Sequence, residues 1–281
     1  MLAWGLVGLR LVAIGGERAL LKRLGHRAPH GLIPTFWFFA LPALLLLPWA
    51  WPLPWVGLPS GILLALSTFL YILALRQGEL SQVAPLSSLS YGFLFLLDLF
   101  LGKASSWDAP SLLGLLFIMG GSASLYQKRP SSLLHLRGLL KIPGGPAMLL
   151  YAGLLALQRQ LDQAMAPGED PIPYAASAFL TVTFLLALIL GWQKKLSLAF
   201  HFAQREKGLV ILAGGNNLLT FLLALWALPT VPISLQEPLM ALSQGVTALL
   251  ARFLFQEDLR GRLPGIGLII LGSALILASP R

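Results

Sequence analysis

The chain has 281 residues, of which 57% are hydrophobic and 11% charged, with a net charge of +9 and no cysteine; its mean hydropathy is +0.78. Soluble domains carry about 25% charged residues, so a water-soluble globule is excluded and lipid is the expected solvent. Disulfide and thiolate chemistry are excluded as well, and the basic residues fall between apolar runs, where membrane topology wants them, which argues against a nucleic-acid partner.

A membrane-spanning helix needs roughly 20 apolar residues. Ten segments qualify: 2–24, 32–50, 56–77, 81–101, 108–127, 146–165, 172–192, 208–228, 232–255 and 262–279. The expected fold is all-α, a polytopic membrane protein of ten transmembrane helices. The first segment lacks a basic stretch before it and a small-residue cleavage site after it, so it reads as a retained helix. Arg10 lies well inside that span and must face protein or water; it suits a cargo carboxylate or a partner acid such as Glu237. Glu17, beside Arg18 and Lys22, reads as solvated at the cytoplasmic edge. In the third span Thr68 and Tyr71 share a face, and packing explains them. In the fourth, Asp98 follows Ser87, Tyr91 and Leu94 on one stripe, which either faces a cavity or ends in an interfacial acid.

The sixth span carries Tyr151, Leu155, Gln158 and Asp162 on one face, and Arg159 is spaced to pair with Asp162. Lys194 to Gly208 is either an ordinary basic loop or a helix along the membrane surface. The eighth span is interrupted by Gly214, Gly215, Asn216 and Asn217, whose small residues allow close helix approach and whose amides suit a cavity. In the ninth, Glu237 precedes Pro238 and shares a stripe with Met240, Gln244 and Thr247. A carboxylate at that depth binds an amine cargo, carries a coupling proton, or pairs near the outer interface. Trp4, Trp49, Trp51, Trp55 and Trp107 fall at span ends, as an interfacial aromatic belt requires.

Sixteen of the 20 Lys and Arg residues flank or fill the odd-numbered loops, Arg18, Lys22, Arg23 and Arg27 among them in loop one. The positive-inside rule then places odd loops in the cytoplasm and both termini outside. The chain also repeats itself. "TFLYILAL" at Thr68 returns as "TFLLALWAL" at Thr220; Pro85, Ser90 and Gly92 match Pro238, Ser243 and Gly245; "GLLFIMGGS" at Gly114 returns as "GIGLIILGS" at Gly265. Five spans per copy make the second copy enter from the opposite side, an inverted repeat. The expected units are residues 1–127, a cytoplasmic linker at 128–145, and residues 146–281.

Each half has a helix ending in an Ala-Leu pair (Ala74-Leu75, Ala227-Leu228), then a Ser/Pro entry to the next helix ("LSQVAPLSSLS", "PISLQEPLMALS"), and a last helix with a Gly-rich close. Together with the acidic turn at Phe255 to Gly265, this resembles the EamA-like family of the drug/metabolite transporter superfamily over nearly the whole chain. One departure stands out: the family's Glu after the fourth helix is matched by Glu257 in the second half, but by Gly102-Lys103 in the first. Glu257 is read as capping or anchoring its own helix. The resemblance implies a cavity lined by spans one, three, four, six, eight and nine, and an inner-membrane permease moving a small polar solute, such as an amino acid, by alternating access.

The sequence reading is therefore a secondary transporter with Glu237, Gln244, Asn216, Asn217, Arg10 and Tyr91 as substrate-contacting residues and spans four and nine as proline-bearing pivots. A flippase for a lipid-linked molecule and a non-transporting membrane scaffold are the alternatives. No catalytic, phosphate-binding or metal-ligand motif is present, so neither enzyme chemistry nor a cofactor is expected. The partners expected are a small-molecule substrate, membrane lipids and a coupling proton.

Overall fold

The computed structural model describes residues 2–49, 51, 55–78, 80–102, 108–126, 143–166, 169–231, 233–257, 261 and 263–278, and among them there are helices but no strand. Lys103, Trp107 and most of the expected linker lie outside the described residues. The helices are α1 (Leu2–Arg27), α2 (Leu32–Leu46, continued by a 3₁₀ turn Leu47–Trp49), α3 (Gly57–Gln77), α4 (Leu80–Val83), α5 (Leu89–Phe100), α6 (Ala109–Tyr126), α7 (Gly145–Met165), α8 (Pro171–Trp192), α9 (Leu196–Arg205), α10 (Lys207–Ala227), α11 (Ile233–Met240), α12 (Ser243–Phe255) and α13 (Leu263–Ala278).

Five apolar stretches are long enough to cross a bilayer: Leu32–Trp49, Gly57–Gln77, Pro171–Trp192, Lys207–Ala227 and Leu235–Phe255; shorter apolar helices cover Leu86–Phe100, Ala109–Ser122 and Leu263–Ala278. Large apolar side chains such as Val12, Leu44, Phe100, Leu116, Leu150, Phe184 and Phe253 are exposed. Water would penalise that surface and lipid does not. The molecule is a helical membrane protein. Polar side chains, by contrast, collect inside: Arg10, Arg18, Asp98, Gln158, Asp162, Glu237 and Gln244 are all buried.

The strongest helix packing joins early helices to late ones. α1 packs on α10 and α12; α7 packs on α3 and α5; α2 packs on α8 and α10; α3 packs on α8; and α6 packs on α13. Exchanging the early set for the late set returns the same contacts. Small residues set several of these crossings. A Cβ on Gly272 would lie 2.4 Å from the Gly114 carbonyl, and one on Gly121 would lie 2.6 Å from the Gly265 carbonyl, so α6 and α13 run antiparallel with their backbones in contact. Gly144, with φ +83°, turns the chain into α7 directly against Ala74, whose carbonyl would be 2.5 Å from an added Cβ. Asp170 caps α8, accepting the Ile172 N–H at 3.0 Å, with Pro171 in the first turn, where its missing N–H costs nothing.

Three expectations about elements need correction. The fourth span is not one helix at 81–101, because a 3₁₀ turn at Ala84–Ser88 separates α4 from α5. The ninth is likewise broken between α11 and α12, where the Ala241 N–H bonds back to the Pro238 carbonyl. Each break lies at or just past a proline, which removes a helical donor and crowds the preceding turn. The stretch read most simply as a basic loop contains α9, whose Ala199 and Phe202 are buried and whose Ala199 carbonyl accepts the Trp37 indole N–H at 2.8 Å.

Candidate functional site: a charged cavity between helices

The buried charges surround one cavity of about 90 Å³. Its walls are Arg10, Ile14, Glu17 and Arg18 of α1; Phe38 of α2; Leu64, Ser67, Thr68 and Tyr71 of α3; Ser87 in the proline turn; Ser90 and Tyr91 of α5; Tyr151, Leu155 and Arg159 of α7; Asn217, Thr220 and Phe221 of α10; and Glu237 and Met240 of α11. On α1 the spacing of Arg10, Ile14, Glu17 and Arg18 is that of one helical face. The wall thus draws on the spans that the resemblance implied, with Phe38 added. This space is well above the minimum of about 10–15 Å³ needed to hold a water.

At one end Glu237 is shared by two arginines. Its Oε1 accepts from an Arg10 terminal nitrogen at 2.8 Å and lies 3.2 Å from Arg159 Nε. Arg10 also donates to Gln236 Oε1 at 3.1 Å. Behind Arg159 stands Asp162, 3.4 Å away, which also accepts from Ser60 at 2.6 Å, Gln158 at 2.9 Å and Tyr174 at 2.8 Å. A buried carboxylate with this many donors is fixed in place. α1, α7 and α11 are thereby tied together.

Further along α1, Glu17 accepts the Thr220 hydroxyl at 2.8 Å. Arg18 donates to Thr247 at 3.3 Å and to Ser87 at 3.4 Å, and Gln244 donates to the same Ser87 at 3.3 Å. Beyond them, Lys22 binds Glu257 at 2.8 Å and sits 4.8 Å from the centre of the Phe255 ring; Glu257 in turn accepts the Leu80 N–H at 3.1 Å. This joins α1, α4 and the end of α12. Charge-assisted contacts between helices therefore lie along α1 both at the cavity wall and beyond it.

Of the six residues expected at the site, Arg10, Glu237, Asn217 and Tyr91 line the cavity. Asn217 also donates to the Phe38 carbonyl at 2.8 Å. Gln244 stands one bond behind, through Ser87. Asn216 points elsewhere, to the Ala13 carbonyl at 3.0 Å, because adjacent helical residues differ by about 100° in direction. Glu17 is a wall residue, not a solvated acid at the membrane edge, and Arg18 and Lys22 belong to the interior rather than to loop one. Asp98 is buried and accepts from Gln160 on α7, and it does not line the cavity. Glu257 reaches across to α1 and α4 and so anchors the end of α12. On α7, Arg159 faces the cavity while Gln158 and Asp162 lie behind it.

Outside the spans, His30 accepts the Leu32 N–H on Nδ1 at 3.3 Å; burial first, then Lys195 and Arg76, hold its imidazole below the ordinary 6.5. Among the described residues, no three of His, Asp and Glu gather as a metal ion would require.

No protein-family model matches the sequence, and neither does any curated protein sequence. A solved structure described only as "Crystal structure of protein" superposes with a TM-score of 0.67 over 96% of this chain and 94% of that one, at 17% identity. At that identity the likeness is one of fold.

Proposed function

We propose that the chain is a ten-span secondary transporter, built as two inverted five-helix units of residues 1–127 and 146–281, which carries a small polar solute across the membrane by alternating access. The observation that carries this reading is the charged cavity between the early and late helices. Charges in a bilayer interior are expensive unless they serve a cavity or a pathway. The contacts that return on exchanging early and late helices, and the antiparallel crossing of α6 and α13, support the inverted arrangement. The resemblance to EamA-like transporters fits the same reading.

In this account the structure is an occluded state. The Arg10–Glu237–Arg159 cluster closes one end and the Lys22–Glu257 pair closes the other. Opening either end breaks contacts on α1, and the helix breaks at Ala84–Ser88 and after Met240 supply the hinges. By the positive-inside rule, the Lys22 end faces the cytoplasm. The test is solute counterflow in proteoliposomes, with candidate solutes first found by thermal stabilisation of the purified protein. Counterflow of a stabilising solute supports the proposal. Stabilisation without any flux contradicts it.

The flippase reading draws on one observation, an apolar groove of about 500 Å³ between α5 and α6, walled by Leu89, Phe93, Leu96, Leu116 and Met119. The groove bears no polar atom at its surface and lies across α5 from Ser90 and Tyr91, so it gives a lipid-linked headgroup no route to the charged cavity.

A further inference from the structure

The cations of the cavity are not alike. Arg10 and Arg159 share Glu237, Arg159 also has Asp162, and Lys22 has Glu257. Arg18 is just as buried, yet among the described residues no carboxylate lies within ion-pair distance of it. Its partners are two hydroxyls at long distances, 3.3 and 3.4 Å. Glu17, the preceding residue on α1, attracts Arg18 without pairing with it, and a buried guanidinium whose hydrogen bonds all go to neutral groups is incompletely satisfied unless an anion completes it. A second orphan stands on the same wall. Tyr71 is 4% exposed, and its hydroxyl, close enough to Arg18 to interact with it, has no well-formed hydrogen bond. Its ring is held 4.7 Å from the Tyr151 ring, so the phenol is fixed in place. Buried hydroxyls are almost always bonded.

We propose that Arg18 and Tyr71 form a carboxylate subsite, and that the transported solute is a small carboxylate with a hydroxyl or ammonium on the neighbouring carbon. The planar fork of Arg18 matches a carboxylate's two oxygens, and the phenol adds a third donor. Arg18 offers one guanidinium to one carboxylate, so a second carboxylate on the solute would have no such partner here. Glu17 lines the same face of α1, and its only hydrogen bond among the described residues comes from Thr220, so it has capacity to accept from the solute's own donor. The space, about 90 Å³, suits a small solute. This assignment rests on the transporter reading.

The experiment is isothermal titration of the purified protein with L-lactate, L-alanine and their carboxamides. The acids should bind at least tenfold more tightly than the amides. Arg18→Gln should remove that preference, and Tyr71→Phe should weaken acid binding by a factor of about ten to a hundred, the range for a bond to a charged group. Without ligand, Arg18→Gln should unfold at the same or a higher temperature than the wild type, because it removes an unbalanced charge. Arg18→Lys, which keeps the charge but not the fork, covers the case in which the first variant fails to fold; it should bind the acids with intermediate affinity. Glu17→Gln should weaken alanine more than lactate if the donor is an ammonium, and both alike if it is a hydroxyl. Amides that bind as well as acids, acid affinity unchanged in Arg18→Gln and Tyr71→Phe, or no binding of any probe would each overturn the assignment. Counterflow of a neutral solute in proteoliposomes would overturn it while leaving transport standing; absence of counterflow for every stabilising solute would remove the transporter reading itself.

Discussion

Replacing Glu237 with Gln tests how the cavity's charges are balanced. Glu237 is 5% exposed and takes Arg10 at 2.8 Å and Arg159 at 3.2 Å. Arg159 keeps Asp162 after the change, but Arg10 loses the carboxylate it pairs with and stays buried. Removing one partner of a buried pair costs about 3–5 kcal/mol, mostly because the other charge is left uncompensated. The Gln oxygen still accepts a hydrogen bond, so the expected loss is at the low end, about 3 kcal/mol. Arg10→Met added to Glu237→Gln removes the stranded charge and should return about 2 kcal/mol or more, a coupling that a double-mutant cycle isolates. Reversible unfolding in detergent, with the free energy extrapolated to zero denaturant, measures both. A loss below about 1 kcal/mol for the single variant, or additive losses in the pair, would refute the charge-balance reasoning.

Other consequences are equally direct. Gly272→Ala should destabilise by about 1–3 kcal/mol through overpacking against the Gly114 carbonyl, whereas Gly120→Ala, whose added methyl meets nothing within 4 Å, should be neutral or stabilising in the same assay. Lys22→Met should free the end of α12 and increase labelling of a Ser90→Cys variant from the cytoplasmic side; unchanged labelling would mean that the Lys22–Glu257 pair is no gate. The His30 imidazole is held below 6.5, so its contribution to stability is complete above about that pH and is lost as pH falls through the folded value. His30→Asn keeps an acceptor at the start of α2 and should flatten that part of the stability–pH curve; an unchanged slope would contradict the assignment.

The helical membrane class was legible because apolar run length is a direct physical constraint. Arg10 and Glu237 were legible for the same reason, since an ionisable residue deep in a span needs a partner. Arg18 and Lys22 were not. Near the end of a span, a basic residue fits cytoplasmic loop and cavity wall equally well, and only the length of α1 separates the two. The one available clue was that Arg10, Glu17 and Arg18 share a helical face. Asn216 and Asn217 looked equivalent as letters, yet only one of two adjacent residues faces the cavity. Pro85 and Pro238 announced local breaks, but not that α4 and α11 would be separate short helices. Tyr71 read as packing because a tyrosine's phenol declares itself only when its surroundings offer no partner.

The central claim is that a single polar chamber opens to each side of the membrane in turn. The chain has no cysteine, so Ser90→Cys reconstituted in proteoliposomes introduces a unique thiol in the chamber wall. Membrane-impermeant maleimide added to one side and then, in a separate sample, to the other should label the thiol from both, and a solute that stabilises the protein should slow both reactions. Labelling from one side only, or from neither while a lipid-soluble maleimide reacts, would contradict the account.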